Sequence, residues 1–146
     1  IEKIIDRPVL DKLLQILYHN PDLIRATTLM PGVKSGLLKM QKSGLPFALI
    51  SRRRSGETAI EALKHHALWP GFFNEKNTFF VKEPGDKNIK AREIGVTHYV
   101  DDETGVLEKL VDVKNRFLFD NLSAFENISG YTRISSWKEL MRHFLK

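Results

Sequence analysis

A chain of 146 residues, 42% apolar and 28% charged, has the length and balance of one ordinary domain with a sizeable core, which excludes disordered and fibrous classes. It contains no cysteine, so disulfides, thiol nucleophiles and zinc–thiolate centres are excluded, and no apolar run nears the roughly 20 residues that span a membrane. The net charge of +5 spreads 23 Lys and Arg among 18 acids, which argues against a nucleic-acid partner; only Arg52-Arg53-Arg54 form a cluster. The N-terminal IEKIIDRPVL lacks the long apolar core of a secretory signal, and a cytoplasmic protein is expected.

The elements follow from periodicity and punctuation. Asp6 is placed to cap a helix from Pro8 to Tyr18, with Leu10, Leu13, Leu14 and Leu17 at helical spacing. Pro31-Gly32 opens a helix over Val33 to Lys42, which Ser43-Gly44 ends. Pro46 to Ile50 reads as a buried strand ended by Ser51, and a helix follows over Gly56 to His66. Thr78 to Val81 is the next strand; Asp86 caps a helix running to Glu93, which Gly95 ends. His98 to Val100 is a strand that stops at Asp101-Asp102, followed by a helix from Glu103 to Leu110. Asn115 to Phe119 and the short Thr132 to Ile134 are further strands. Ser136-Trp137-Lys138-Glu139 is a capping box that opens a last amphipathic helix.

Short apolar strands alternating with helices of about ten residues imply right-handed crossovers and a parallel sheet covered on both faces. The expectation is one domain over residues 1–146, a doubly wound three-layer α/β/α sandwich with a mostly parallel sheet of about five strands. Ligands of such sheets sit beyond the strands' carboxyl ends. Ser51, Lys82 and Asp101-Asp102 all interrupt apolar runs there.

Adjacent carboxylates on a loop supply oxygen ligands for Mg²⁺; a carboxylate at a helix start also caps orphan N–H groups. Ser51, with Arg52 and Arg53 beside it, suits a phosphate, or equally caps the next helix beside a solvated arginine face. Lys87 stands in a first helical turn, where a cation opposes the dipole, and Lys82 competes with it as an anion-binding lysine. His65-His66 and His98 read as helix-end and rim residues. Trp69, Phe72-Phe73 and Phe79-Phe80 read as core.

In order and spacing these segments resemble the haloacid dehalogenase-like superfamily of phosphatases and related hydrolases. PGVKSGLLKMQKSG followed by FALISRR is similar to the approach to its second motif, with Ser51 at the Ser/Thr position. Lys87 in DKNIKAREIGVTHYVDD resembles the third-motif lysine, and Asp101-Asp102 the fourth motif. The likeness covers residues 31–146. It implies a small member with a minimal cap that hydrolyses a small phosphorylated molecule. Asp101 and Asp102 would hold Mg²⁺, Ser51 and Lys87 the phosphoryl oxygens, and Arg52 to Arg54 the rest of an anionic substrate.

The family's first motif, two aspartates two residues apart at a strand end, has no counterpart. Asp6 ends a short apolar stretch, but Pro8 stands where the second aspartate belongs. Three readings stay open: a nucleophile carried before Ile1, Asp6 as a degenerate nucleophile, or a non-catalytic binding or scaffold protein that keeps the fold.

Overall fold

Apolar segments only four or five residues long bury both faces when they lie side by side as parallel strands beneath helices. The computed structural model describes residues 21–53, 56–125 and 129–145, and it is an α/β structure of this kind. In chain order the elements are α1 (Pro21–Ala26), α2 (Val33–Lys42), β1 (Leu49–Arg52), α3 (Glu57–His65), β2 (Thr78–Val81), α4 (Asp86–Glu93), β3 (His98–Asp101), α5 (Thr104–Lys109), β4 (Asn115–Phe119), β5 (Thr132–Ile134) and α6 (Trp137–Phe144). The expected helix from Pro8 to Tyr18, with its Asp6 cap, lies outside the described residues. No helix among them is long and apolar enough to cross a membrane.

Among the described residues all strand pairings are parallel. β1 pairs with β2, placing Ser51 opposite Phe80; β3 pairs with β4, and β4 with β5. The five expected strands are therefore present, but among the described residues they form one sheet of two strands and one of three. Within each strand the faces alternate. Ile50 and Val81 join Ala91, Tyr99, Val106, Leu107, Leu110, Val113 and Leu118 in a first apolar cluster. Phe117 and Ile134 join Val33, Leu37, Met40, Leu68, Leu140 and Met141 in a second, with Val100 and Phe119 packed against it. The neighbours Phe117 and Leu118 thus serve opposite clusters, as the period of two requires.

Several local expectations shift. The first strand starts at Leu49, not Pro46, and runs through Ser51 into Arg52, so Ser51 lies within the ladder. Proline has no N–H to give a ladder, which disfavours Pro46 there. Asp86 is the first residue of α4 and not its cap: its carboxylate accepts the Glu83 N–H at 3.0 Å and closes the preceding turn. Ser136 does cap α6, accepting the Glu139 N–H at 3.1 Å; the Glu139 carboxylate accepts from Ser135, one residue earlier than a standard capping box. Trp69, Phe72, Phe73, Phe79 and Phe80 are half-buried rather than enclosed.

Helices α2 and α6 approach closely because Gly36 has no side chain. A Cβ built there would stand 2.8 Å from Trp137 Cε3. Alanine normally favours a helix over glycine by about 1 kcal/mol. Gly36→Ala should nevertheless lower stability in urea unfolding. Leu118→Ala, which empties a fully buried position, should cost about 2–5 kcal/mol in the same measurement.

Candidate functional site

The polar residues at the strand carboxyl ends meet through one ion pair. Lys87 lies in the first turn of α4, the helix that leaves the carboxyl end of β2. Its Nζ donates to Asp101 Oδ2 at 2.8 Å, at the carboxyl end of β3. The two side chains are only 11% and 10% exposed. This contact brings the carboxyl ends of the two sheets to the same side of the molecule.

Asp101 uses both oxygens. While Oδ2 takes the lysine, Oδ1 accepts the Glu103 N–H at 3.0 Å, an aspartate turn closing on the residue two ahead. That turn carries the chain into α5, whose cap position is Glu103. The capping and ion-binding readings of the aspartate pair are thus divided: Asp101 shapes the turn and receives the cation, and Asp102 is left beside it. Asp102 is exposed, yet its carboxyl is pushed above the usual range. Loss of water around the carboxyl is the largest cause, the neighbouring Asp101 charge the next, and the Lys87 charge opposes both more weakly.

Ser51 is half-buried in β1, Arg52 is exposed and Arg53 half-buried just beyond it. Lys82 is exposed in the turn after β2. Among the described residues it is Lys87, not Lys82, that reaches an aspartate. Arg54 and Asp6 lie outside the described residues. His98 sits exposed at the start of β3 with its ring stacked 6.0 Å from Phe117, at the end of the sheet away from the aspartates.

Two residues that motif spacing did not single out matter here. Asp120, directly after β4, is buried and accepts the Ala124 N–H at 2.8 Å, the Phe125 N–H at 3.3 Å and Arg133 Nε at 2.9 Å. It therefore holds the loop after β4 to β5. Burial works against its charge, but these donors outweigh burial and hold its carboxyl below the usual range. Its sequence signal was the one that marked Asp101: an apolar run, here NRFLF, ending abruptly in a carboxylate. The second is Tyr99, buried in β3, whose hydroxyl donates to the Ile50 carbonyl of β1 at 3.5 Å.

The donor set fits a hard cation. Mg²⁺ takes one or two carboxylates and keeps several waters. Asp102 presents such an oxygen beside a second carboxylate whose charge is only partly offset. Among the described residues no group of three or more His, Cys, Asp or Glu side chains gathers as a complete metal cage. Asp101 and Asp102 would supply part of a coordination shell.

The architecture and this edge define a class: a parallel α/β protein with a buried lysine–aspartate pair and a second, exposed carboxylate at the strand carboxyl ends. No family model matches the chain. No curated protein matches it in sequence either.

Two outcomes test the site's construction. Lys87→Met strands a buried carboxylate and should destabilise the protein by about 3–5 kcal/mol, with a milder loss in Lys87→Met combined with Asp101→Asn, both read by denaturant melts. For Asp120, a folded-state pKa held below the ordinary 3.8 means its charge stabilises the fold above that value and ceases to do so as pH falls through the folded value. Wild type should accordingly be more stable than Asp120→Asn at pH 6, with the gap closing below about pH 4 in thermal melts across pH.

Proposed function

We propose that this edge is a Mg²⁺-assisted phosphoryl site and that the chain is a haloacid dehalogenase-type hydrolase domain acting on a small phosphorylated molecule. The observation that carries the reading is the buried Lys87–Asp101 pair with Asp102 beside it. A lysine in a first helical turn opposes the helix dipole and is costly to bury. A phosphoryl site needs a fixed cation beside metal-binding carboxylates, which would account for that cost.

In this reading Asp102, with Asp101, holds the metal, and Lys87 and Ser51 hold phosphoryl oxygens. Arg52 and Arg53, which follow β1's carboxyl end, attract the rest of the anion. Bound Mg²⁺ would neutralise charge on the phosphoryl oxygens and make the phosphorus open to attack. The finer fold also belongs to this proposal: the two sheets are halves of one central layer, with α4 and α5 on one face and α2 and α6 on the other. The two apolar clusters, one taking residues of both sheets, support it.

One observation favours a second reading, a binding protein of the same fold without turnover: the sequence contains no Asp-x-Asp pair, so the nucleophile and its acid–base partner are not both recognisable.

A p-nitrophenyl phosphate assay with and without Mg²⁺, paired with melting curves, separates these. The hydrolase reading expects Mg²⁺-dependent turnover that falls by about 100-fold or more in Asp102→Asn. A Mg²⁺-dependent rise in melting temperature without turnover supports the binding reading. Neither effect at millimolar Mg²⁺ would remove both.

A further inference from the structure

Between Asp22 and Glu57 the sequence carries Arg25, Lys34, Lys39, Lys42 and Arg52 to Arg54, and not one acid. The fold adds to that imbalance. Helices α2 and α6 cover the same apolar cluster, α2 with Val33, Leu37 and Met40, α6 with Leu140 and Met141. They run side by side in the same direction: a Cβ at Gly32 would lie 3.0 Å from Trp137 Cβ, and one at Gly36, a turn on, 3.3 Å from Met141 Sδ. Their solvent faces therefore form one surface.

That surface is basic. On α2, residues four apart stand in line, so Lys34, Leu38 and Lys42 make one exposed stripe. On α6, Lys138 and Arg142 make a second. Lys39, also exposed, follows Gly36 by three residues and rises beside the seam between the helices. Among the described residues none of these five cations is held in an ion pair. The single acid of α6, Glu139, is committed to the Ser135 N–H and hydroxyl at 2.8 and 3.0 Å. The arrangement works against local helix electrostatics. No acid stands in the first turn of α2, where Lys34 meets the dipole unfavourably, and Lys138 and Arg142 repel at a spacing of four. At the centre of the first stripe Leu38 is 41% exposed.

We propose that this face binds the surface of an anionic lipid bilayer, with the five cations against the headgroups and Leu38 entering the acyl boundary. Roughly four to eight clustered Lys and Arg suffice for a phosphatidylserine-rich surface, each strengthening binding by about fivefold. The position of Leu38 chooses between polyanions. An interfacial helix sets aliphatic residues beside its cations, where they gain by burial in the headgroup layer. A nucleic-acid face sets aromatic or amide groups there, to stack on bases or bond to them. The nearby amide, Gln41, instead donates to the Gly71 carbonyl. Four of the five cations are lysines, which meet headgroups as point charges and lack the planar fork that reads guanine. The inference needs no catalytic activity and stands apart from the proposed phosphoryl site, whose Lys87 and Asp101 lie at strand carboxyl ends.

Co-sedimentation of the chain with unilamellar vesicles tests this, using phosphatidylcholine alone or with about 30% phosphatidylserine. Binding is expected on the anionic vesicles at about 50 mM salt, falling steeply by about 500 mM, and is expected to be absent on phosphatidylcholine. Lys39→Gln with Lys42→Gln should weaken it about 25-fold. Lys109→Gln with Lys114→Gln removes the same charge from exposed positions beside the other apolar cluster and should change binding by less than about twofold. Leu38→Ser should weaken binding about fivefold and leave its salt dependence unchanged. All these variants alter exposed residues, and thermal melts confirm their folding. No binding to anionic vesicles at low salt would overturn the inference, as would an equal loss in the Lys109 and Lys114 pair or no loss in Leu38→Ser. Tighter binding to duplex DNA at matched phosphate concentration, lost with Lys39→Gln and Lys42→Gln, would assign the face to nucleic acid and overturn it too.

Discussion

A lysine and an aspartate, both nearly enclosed and 2.8 Å apart, fix how the halves of this molecule meet. A buried charge without its partner costs several kcal/mol, so α4 must deliver Lys87 wherever β3 delivers Asp101. Lys87 follows the carboxyl end of β2, and Asp101 ends β3. The pair therefore aligns the two sheets end to end in direction and brings their polar termini together. Tyr99 adds a second tie lower down, from β3 to the Ile50 carbonyl, and the shared apolar cluster fills the space beneath.

The same pair sets the electrostatics. Because Asp101 is committed to Lys87 and to the Glu103 N–H, its neighbour receives only a weak share of the lysine's field. Partial dehydration and a carboxylate next door make the Asp102 negative charge costly, which a divalent cation would relieve. Asp120 has the opposite environment. It also ends an apolar strand, but four donor contacts from Ala124, Phe125 and Arg133 satisfy it, so it anchors a loop. Two aspartates with similar sequence surroundings thus shift in opposite directions because of what the fold sets against them.

Where glycine and proline punctuate the chain, local sequence was a reliable guide. The helix at 33–42, bounded by Gly32 and Gly44 at positive φ, and the strands at 78–81 and 115–119 were legible to the residue. β1 was not, because its limits come from pairing with β2 and not from its own apolar run, so the strand slides from Pro46 toward Arg52. The burial of Lys87 was legible only as an oddity, a cation in a first helical turn; its partner lies 14 residues away and appears only once α4 and β3 are packed. The Asp120–Arg133 pair has the same origin. The division of five strands into two and three left no local mark at all, since each strand reads the same whether or not a neighbour is present.

The central proposal for the molecule is that Asp101 and Asp102 act as a cation-binding pair beside a fixed lysine. A Mg²⁺ titration followed by backbone amide chemical shifts examines that most directly. It predicts saturable shifts centred on Asp101, Asp102 and Glu103, spreading to Lys87 and absent in Asp102→Asn. Shifts that never saturate, or that appear equally in the variant, would contradict it.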